Sequence, residues 1–217
     1  MPEYRAVIFD LDGTLLDTLA DIADSMNSVL AAMGLPTHPR DEYRYFVGSG
    51  MENLVRRALP PQKLDEATVS RALTAMRREY QNNWRRQTRP YDEIPELLTA
   101  LAGRRLSLTV LSNKPDDFTK KCVHALLDAS LFQALRGAGP QTPRKPDPAG
   151  ALALADQLAL PPEHILYAGD SGIDMQTAKS AGMFAVGVLW GFRFADELRE
   201  NGADALISRP LELLNLL

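Results

Sequence analysis

Residues 4–14 read YRAVIFDLDGT, an apolar run that ends in two carboxylates. A short run without a polar face is typical of a strand buried on both sides of a parallel sheet. Four later segments have the same character, at 106–111, 165–168, 184–189 and 205–207. Segments with helical spacing separate them, at 92–101, 115–129, 148–158 and 172–181. This alternation predicts an α/β fold with a doubly wound, Rossmann-like parallel sheet.

The alternation is interrupted once, between the first and second predicted strands. Residues 14–90 carry apolar side chains at helical spacing, among them Leu19, Ile22 and Met26. Within this stretch only 43–47 looks strand-like. A crossover between parallel strands needs only about a dozen residues, far fewer than are present here. We therefore expect residues 14–90 to form a helical domain, inserted after the first strand of an α/β core made of 1–13 plus 91–217.

Composition excludes several classes of protein. Hydrophobic residues make up 45% of the 217 residues and charged residues 24%, which is ordinary globular usage. No apolar run approaches the ~18 residues of a membrane span, and the start Met1-Pro2-Glu3 is unlike a signal peptide. With a net charge of −4 and no basic stripe, we expect neither nucleic acid nor a membrane as partner. The single cysteine, Cys122, favours a reducing cytoplasm. We expect a monomer or a weak homodimer.

Two pairs of aspartates follow predicted strands. Asp10 and Asp12 close the first strand, and Asp170 and Asp174 follow the strand at 165–168. The carboxyl ends of strands in an open α/β sheet border its ligand crevice, so carboxylates from two strands can meet there. Such a group suits a hard cation, Mg²⁺ above all. Each pair taken alone has a structural alternative, an Asp-Gly turn for the first and a helix cap for the second.

Two further segments supply groups that a phosphate needs. Ser112 and Asn113 follow the second strand with a hydroxyl and an amide, both hydrogen-bond donors. Lys145 lies in a proline-rich loop just before a helix and offers a compact positive charge. The structural alternatives are a turn for Ser112 and Asn113 and a surface charge for Lys145. The recurrence of such groups at strand ends along the whole core favours one phosphate site.

Taken together, these segments resemble the four motifs of the haloacid dehalogenase superfamily. The motifs are Asp10-x-Asp12-Gly-Thr, Ser112-Asn113, Lys145-Pro146 and Gly169-Asp170-x₃-Asp174. Residues 14–90 are similar to its helical cap of the first type, so the resemblance covers essentially the full chain. It extends to the phosphoglycolate phosphatases through Tyr45-Phe46-Val47-Gly48-Ser49-Gly50-Met51, Ser112-Asn113-Lys114-Pro115 and Gly191-Phe192-Arg193-Phe194.

The resemblance implies hydrolysis of a small phosphorylated metabolite through an aspartyl-phosphate. Asp10 would be the nucleophile, and Asp12 would act as acid and then as base. Mg²⁺ would be held by Asp10, the backbone carbonyl of Asp12 and Asp170.

The same resemblance assigns the groups around the reacting phosphate. Ser112, Asn113 and Lys145 would bind the phosphoryl group. Asp174 would orient Lys145 or a metal-bound water. The cap would choose the substrate through a loop formed by Gly48, Ser49 and Gly50.

Other functions are ranked by the residues that they require. Related dehalogenases lack the aspartate at position 12, and a phosphonatase needs a cap lysine, for which Lys63 is the only candidate. A phosphomutase or an inorganic pyrophosphatase shares the core chemistry and remains the runner-up. An inert phosphate-binding protein would be expected to lack Asp10 or Asp12. A dinucleotide-dependent dehydrogenase is excluded, because no Gly-x-Gly-x-x-Gly follows the first strand.

Overall fold

The computed structural model describes residues 3–139 and 142–217. Met1 and Pro2, part of the start that is unlike a signal peptide, lie outside the described residues, as do Pro140 and Gln141. The core is a six-stranded sheet. Its strands are β1 Ala6–Phe9, β4 Ser107–Pro115, β5 Phe132–Ala138, β6 Ile165–Gly169, β7 Phe184–Val188 and β8 Ala205–Ile207. They are parallel at every pairing and lie in the order β5-β4-β1-β6-β7-β8.

Helices cover both faces of this sheet. They are α5 Ile94–Gly103, α6 Asp116–Leu126, α7 Ala149–Leu158, α8 Gly172–Ser180 and α9 Ala195–Glu200. Val7 and Phe9 of β1 pack with residues of α5 and α6, whereas Ala6 and Ile8 pack with residues of α7, α8 and α9. Strand β1 is therefore apolar on both sides, as the doubly wound fold requires. The chain winds away from β1 in both directions, which opens a crevice at its carboxyl end.

The insertion between β1 and β4 is helical, as the sequence predicts. Its helices are α1 Leu19–Ala32, α2 Tyr43–Phe46, α3 Met51–Ala58 and α4 Glu66–Asn83. Two short antiparallel strands, β2 Leu16–Asp17 and β3 Arg89–Pro90, join the insertion to the core. Asp21 is 1% exposed and accepts hydrogen bonds from the backbone N–H groups of Gln87 and Thr88, so the entering and leaving segments are held together. We call α1 to α4 the cap helices.

Short 3-10 segments complete the chain, at Arg40–Glu42, Pro61–Lys63, Ala129–Leu131, Pro162–His164 and Pro210–Leu216. Among the residues that the structure describes, no helix is both long enough and apolar enough to cross a membrane.

Two elements differ from the sequence expectation. Residues 43–47 looked strand-like, but Tyr43–Phe46 is a helical turn in which Tyr43 packs against Phe46 and donates to Asn27. Tertiary packing overrides the β propensity of these aromatic residues. Strand β5 was not anticipated, because an edge strand that carries Arg136 and Gly137 has no continuous apolar run.

Cys122 belongs to the apolar core and is fully buried on α6. Burial raises the pKa of its thiol to about 11, so little thiolate is present at neutral pH. We expect Cys122→Ala to leave kcat within a factor of about two and to cost about 1 kcal/mol of stability. Enzyme assays and urea unfolding measure the two effects. Rapid inactivation of the folded protein by a thiol reagent would contradict a purely structural role.

Candidate active site

The predicted site residues meet at the carboxyl ends of three neighbouring strands. Asp10 follows β1 directly, and Ser112 lies in the last part of β4, on one side of β1. Asp170 follows β6 on the other side, and Lys145 arrives from the loop before α7. All four side chains are at most 6% exposed. The doubly wound topology thus brings together residues that lie far apart in the sequence.

A buried lysine joins two of the aspartates. Lys145 Nζ lies 2.8 Å from Asp10 Oδ1 and 2.6 Å from Asp174 Oδ1. The second oxygen of Asp174 accepts from the backbone N–H and the hydroxyl of Ser171 at the start of α8. Both oxygens of Asp174 therefore have donors, and this side chain holds Lys145 in place.

Negative charge exceeds positive charge in this part of the site. Burial raises the pKa of Asp10 to about 7, although Lys145 opposes the shift. The pKa of Asp170 is held well above its usual value by burial and by the carboxylates of Asp10 and Asp174. Burial alone would lower the pKa of Lys145, but Asp10 and Asp174 hold it well above the ordinary value. Lys145 contacts two of these three carboxylates, those of Asp10 and Asp174.

The donor set fits a hard divalent cation. One oxygen each from Asp10, Asp170 and Asp174 can be chosen so that all three lie within 4.8 Å of one another. Asp10 Oδ1 is buried, and Lys145 Nζ lies 2.8 Å from it. A Cβ at Gly13 or Gly191 would come within 2.3 Å of Asp170, so the backbone packs directly around that carboxylate. Asp170 Oδ2 accepts from the N–H of Phe192 at 2.7 Å. A few carboxylate oxygens around one point suit Mg²⁺, which usually keeps several water ligands.

Asn113 connects two loops of the site. Its amide donates to the carbonyls of Gly48 and Lys145 and accepts from the N–H of Lys145. The amide has only two N–H bonds. Both side-chain N–H bonds of Asn113 therefore have acceptors, and this side chain connects the two loops. The Ser112 hydroxyl accepts from the N–H of Lys114, which leaves its own O–H available as a donor.

Lys114 is a site residue that the sequence analysis did not single out for a role. Its Nζ lies 2.8 and 3.1 Å from the two oxygens of Asp12 and 2.8 Å from the hydroxyl of Tyr80. Tyr80 belongs to cap helix α4, so this contact joins the cap to the predicted acid and base. Its position in the sequence could have indicated this role, because Lys114 directly follows Ser112-Asn113 on a strand that continues to Pro115.

A small cavity of about 50 Å³ lies between the core and the cap. Asp10, Asp12, Ser112 and Lys114 form its polar end. The cap contributes mostly aliphatic side chains, namely Ile22, Val47, Met51, Leu54 and Met76. Such a volume accommodates a small ligand whose non-phosphate part is short.

The glycine loop closes one side of the cavity. Gly48 and Gly50 line it, whereas Ser49 binds Asn53 and Arg57 through its carbonyl and hydroxyl. The φ angles of Gly48 and Gly50 are +112° and +90°, a region that β-branched residues avoid. A β-branched side chain at either position would therefore strain the backbone of the loop, and at Gly50 its Cβ would also lie 3.3 Å from Arg144 and from the Asn113 carbonyl.

Valine at Gly48 or Gly50 is expected to lower kcat/KM for small phosphate esters by at least about tenfold. It introduces backbone strain of about 1–3 kcal/mol, and the loop relieves this strain by moving away from its position beside the cavity. Mg²⁺ binding, measured by calorimetry, should survive because its ligands lie on the core. Gly34→Val is the matched control. Gly34 also has a positive φ, +68°, but lies in the cap with no heavy atom within 4 Å of its would-be Cβ. Unchanged kinetics in both loop variants would remove the loop from the site.

Comparison with known proteins identifies relatives of this chain. The family model for haloacid dehalogenase-like hydrolases matches residues 7–188. The chain is 32% identical over 213 residues to a phosphoglycolate phosphatase of Aquifex aeolicus, covering 98% of this chain and 96% of the relative. It is 33% identical over 214 residues to an N-acetylmuramic acid 6-phosphate phosphatase of Pseudomonas aeruginosa, covering 98% and 94%. A crystal structure of a predicted phosphoglycolate phosphatase from Haemophilus somnus superposes with a TM-score of 0.91 at 28% identity, covering 100% and 99%.

Proposed function

The chain belongs to the haloacid dehalogenase-like hydrolase family, as an enzyme similar to its phosphatases, and we propose that it hydrolyses a small phosphomonoester through an aspartyl-phosphate on Asp10. The observation that carries the proposal is the shared cavity of Asp10 and Asp12, with Lys145 against the first and Lys114 against the second. We assign the reaction to a core of residues 1–13 plus 91–217, closed by a cap of residues 14–90, and place it in the cytoplasm.

Asp10 and Asp12 divide the chemistry between them. Asp10 attacks phosphorus, so that a bond forms from its carboxylate oxygen while the bond to the ester oxygen breaks. Asp12 gives a proton to the departing alcohol. In the second half, Asp12 takes a proton from water, which attacks phosphorus and releases inorganic phosphate and the free carboxylate of Asp10. Lys145 and Ser112 hold the phosphoryl oxygens throughout, and Asp174 keeps Lys145 in position.

The metal has a defined place in this scheme. Asp10, Asp170 and the backbone carbonyl of Asp12 would hold Mg²⁺, which when bound neutralises charge between the phosphate and the carboxylates. The carboxylates of Asp10, Asp170 and Asp174 lie close together in a buried site, and burial raises the pKa of Asp10 although Lys145 opposes the rise. Activity is therefore expected to depend on a divalent cation.

The best-supported substrate is 2-phosphoglycolate. The substrates named for the two curated relatives are both phosphate esters of an organic acid. We choose the shorter of the two because the cap side chains that line the cavity are mostly apolar. The aliphatic walls of the cavity offer few partners for the hydroxyl groups of a sugar phosphate.

A panel of phosphate esters tests the proposal. The protein is assayed with 2-phosphoglycolate, N-acetylmuramic acid 6-phosphate, sugar phosphates, nucleotides and pyrophosphate, each with Mg²⁺ and with a chelator. We expect Mg²⁺-dependent release of phosphate, fastest from 2-phosphoglycolate. If phosphate binds but no ester is hydrolysed, the chain is an inert binding protein and the proposal fails. If pyrophosphate is the preferred substrate, the protein is an inorganic pyrophosphatase. If phosphate is transferred within a sugar, the protein is a phosphomutase.

A further inference from the structure

The segment of residues 190–194, between β7 and α9, is fixed to the core beside the candidate site. The backbone N–H of Phe192 donates to Asp170 Oδ2 at 2.7 Å, and Phe192 is 4% exposed. Gly191 packs directly on the same aspartate, because a Cβ there would lie 2.3 Å from the Asp170 side chain. This segment therefore has a defined position relative to Asp170.

The same segment contacts the cap in both directions. Arg193 donates to the carbonyl of Val47 at 3.0 Å, and its guanidinium carbon lies 5.3 Å from the centre of the Tyr45 ring. Arg44 of the cap donates to the carbonyl of Gly191 at 3.2 Å. Val47 directly precedes the glycine loop, so the contacts of Arg193 reach the part of the cap that borders the cavity.

The side chain of Arg193 is held in place by the core. It is 9% exposed, and its Nε lies 3.3 Å from Glu197 Oε2. The other carboxylate oxygen of Glu197 accepts a hydrogen bond from the N–H of Gly172 at the start of α8. Arg193 is not among the described residues that line the cavity, so it acts on the loop rather than on a ligand.

Two core residues hydrogen-bond this part of the cap. Asn113 donates to the carbonyl of Gly48, and Arg193 donates to that of Val47. Asn113 lies on β4 and Arg193 follows β7, and these strands lie on opposite sides of β1 in the sheet. Only Arg193 is charged, and a hydrogen bond from a charged donor is stronger than one between neutral groups. Val47 is 5% exposed, so its carbonyl has little access to water as an alternative partner.

Two other arginines near the loop do not join it to the core in this way. Arg57 belongs to cap helix α3 and donates to the carbonyl of Tyr45 and the hydroxyl of Ser49, so it holds the loop within the cap. Arg144 is a core residue beside Gly50, where a Cβ would lie 3.3 Å from its Nε. Arg144 is exposed, and no described residue of the loop accepts a hydrogen bond from it.

We propose that Arg193 is a positioning residue, which holds the glycine loop against the core and so keeps the cap closed around the leaving group. The inference rests on the proposed function for its kinetic consequence. Only the closed arrangement places the loop beside the cavity, so the apparent affinity for a substrate falls in proportion to the closed fraction. Ser112 and Lys145, which hold the phosphoryl group in the proposed function, belong to the core and do not depend on this contact.

The experiment compares a phosphate ester with inorganic phosphate. The ester, the best substrate of the panel, fills both the phosphate site and the leaving-group part of the cavity. Inorganic phosphate, measured as a competitive inhibitor, occupies only the phosphate site. Loss of a charge-assisted hydrogen bond predicts that Arg193→Met raises KM for the ester by about 10- to 100-fold, with a smaller effect on kcat. The inhibition constant of phosphate should stay nearly unchanged. Arg193→Lys, which keeps the charge, should restore part of the affinity for the ester.

Two further variants separate positioning from a general loss of positive charge. Arg44→Met removes the second contact and should raise KM in the same pattern by a smaller factor, because the Arg44 side chain is 37% exposed. Arg199→Met is the control. Arg199 lies on α9, close to Arg193 in the sequence, and pairs with Asp196 at the exposed surface of that helix. Its KM should equal that of the unmodified protein.

The outcomes are distinguishable. An unchanged KM in Arg193→Met, or a loss of phosphate affinity as large as the loss of ester affinity, would overturn the positioning role and leave the phosphatase function standing. Failure of the unmodified protein to hydrolyse any ester would overturn the function itself, and the positioning role with it. If Arg193→Met does not fold, as judged by circular dichroism, Arg193→Gln decides, since it also removes the charge: an unchanged KM overturns the proposal.

Discussion

Lys145→Met is expected to lower the free energy of unfolding by about 3–5 kcal/mol and to remove measurable turnover. Lys145 is buried and contacts the carboxylates of Asp10 and Asp174, both buried as well. Methionine has a similar volume but no charge. Its introduction leaves those two carboxylates, with Asp170 beside them, in a buried site without the ammonium group. An unpaired buried charge costs much more than the pair contributed.

The measurement is urea unfolding of the metal-free protein, followed by the same measurement with Mg²⁺. A divalent cation offsets part of the unpaired charge, so Mg²⁺ should stabilise the variant more than the unmodified protein. Lys120→Met is the matched control, since Lys120 pairs with Asp116 at the exposed surface of α6. We expect that change to cost less than about 1 kcal/mol. A Lys145 variant as stable as the Lys120 variant would show that the buried ion pairs contribute little.

The core of the fold was predictable because its strands are apolar on both faces. Strands β1 and β6 are completely buried. A strand that is buried on both faces carries an unbroken run of apolar residues, which is visible in the sequence. The positions of the polar site residues follow from the same feature. Polar residues directly after such a run must lie at the edge of the sheet, which is why Asp10 and Asp170 could be placed from the sequence.

The parts that could not be predicted depend on contacts between distant segments. Strand β5 is an edge strand, and its sequence alone does not distinguish it from a loop. The contact between Lys114 and Tyr80 joins residues 34 positions apart, across the interface of core and cap. Nothing local to either residue indicates this pairing. The hydrogen bonds of Asn113 to the loops of Gly48 and Lys145 likewise join segments far apart in the sequence, so the sequence did not indicate them.

Asp12→Asn is expected to accumulate phosphate on Asp10, whereas Asp10→Asn should carry none. The assay uses p-nitrophenyl phosphate, whose leaving group needs little protonation, so loss of Asp12 slows the first step only in part. Hydrolysis of the phosphoenzyme still needs a base to activate water, and loss of a base costs about 10²–10⁴-fold. The phosphoenzyme should therefore form faster than it is hydrolysed. Asp10→Asn should lose both turnover and covalent phosphate, because an amide is a poor nucleophile toward phosphorus.

Mass spectrometry after a rapid acid quench distinguishes the two roles. Trypsin releases residues 6–40 as one peptide, since Arg5 and Arg40 flank a stretch without lysine or arginine. The added phosphate should appear on this peptide in Asp12→Asn alone, and its decay should match the residual turnover of that variant. The two side chains differ in their surroundings: Asp10 lies against Lys145 and near the carboxylates of Asp170 and Asp174, whereas Asp12 pairs with Lys114. If neither variant traps phosphate while Asp10→Asn stays active, water attacks the ester directly and Asp10 is only a metal ligand.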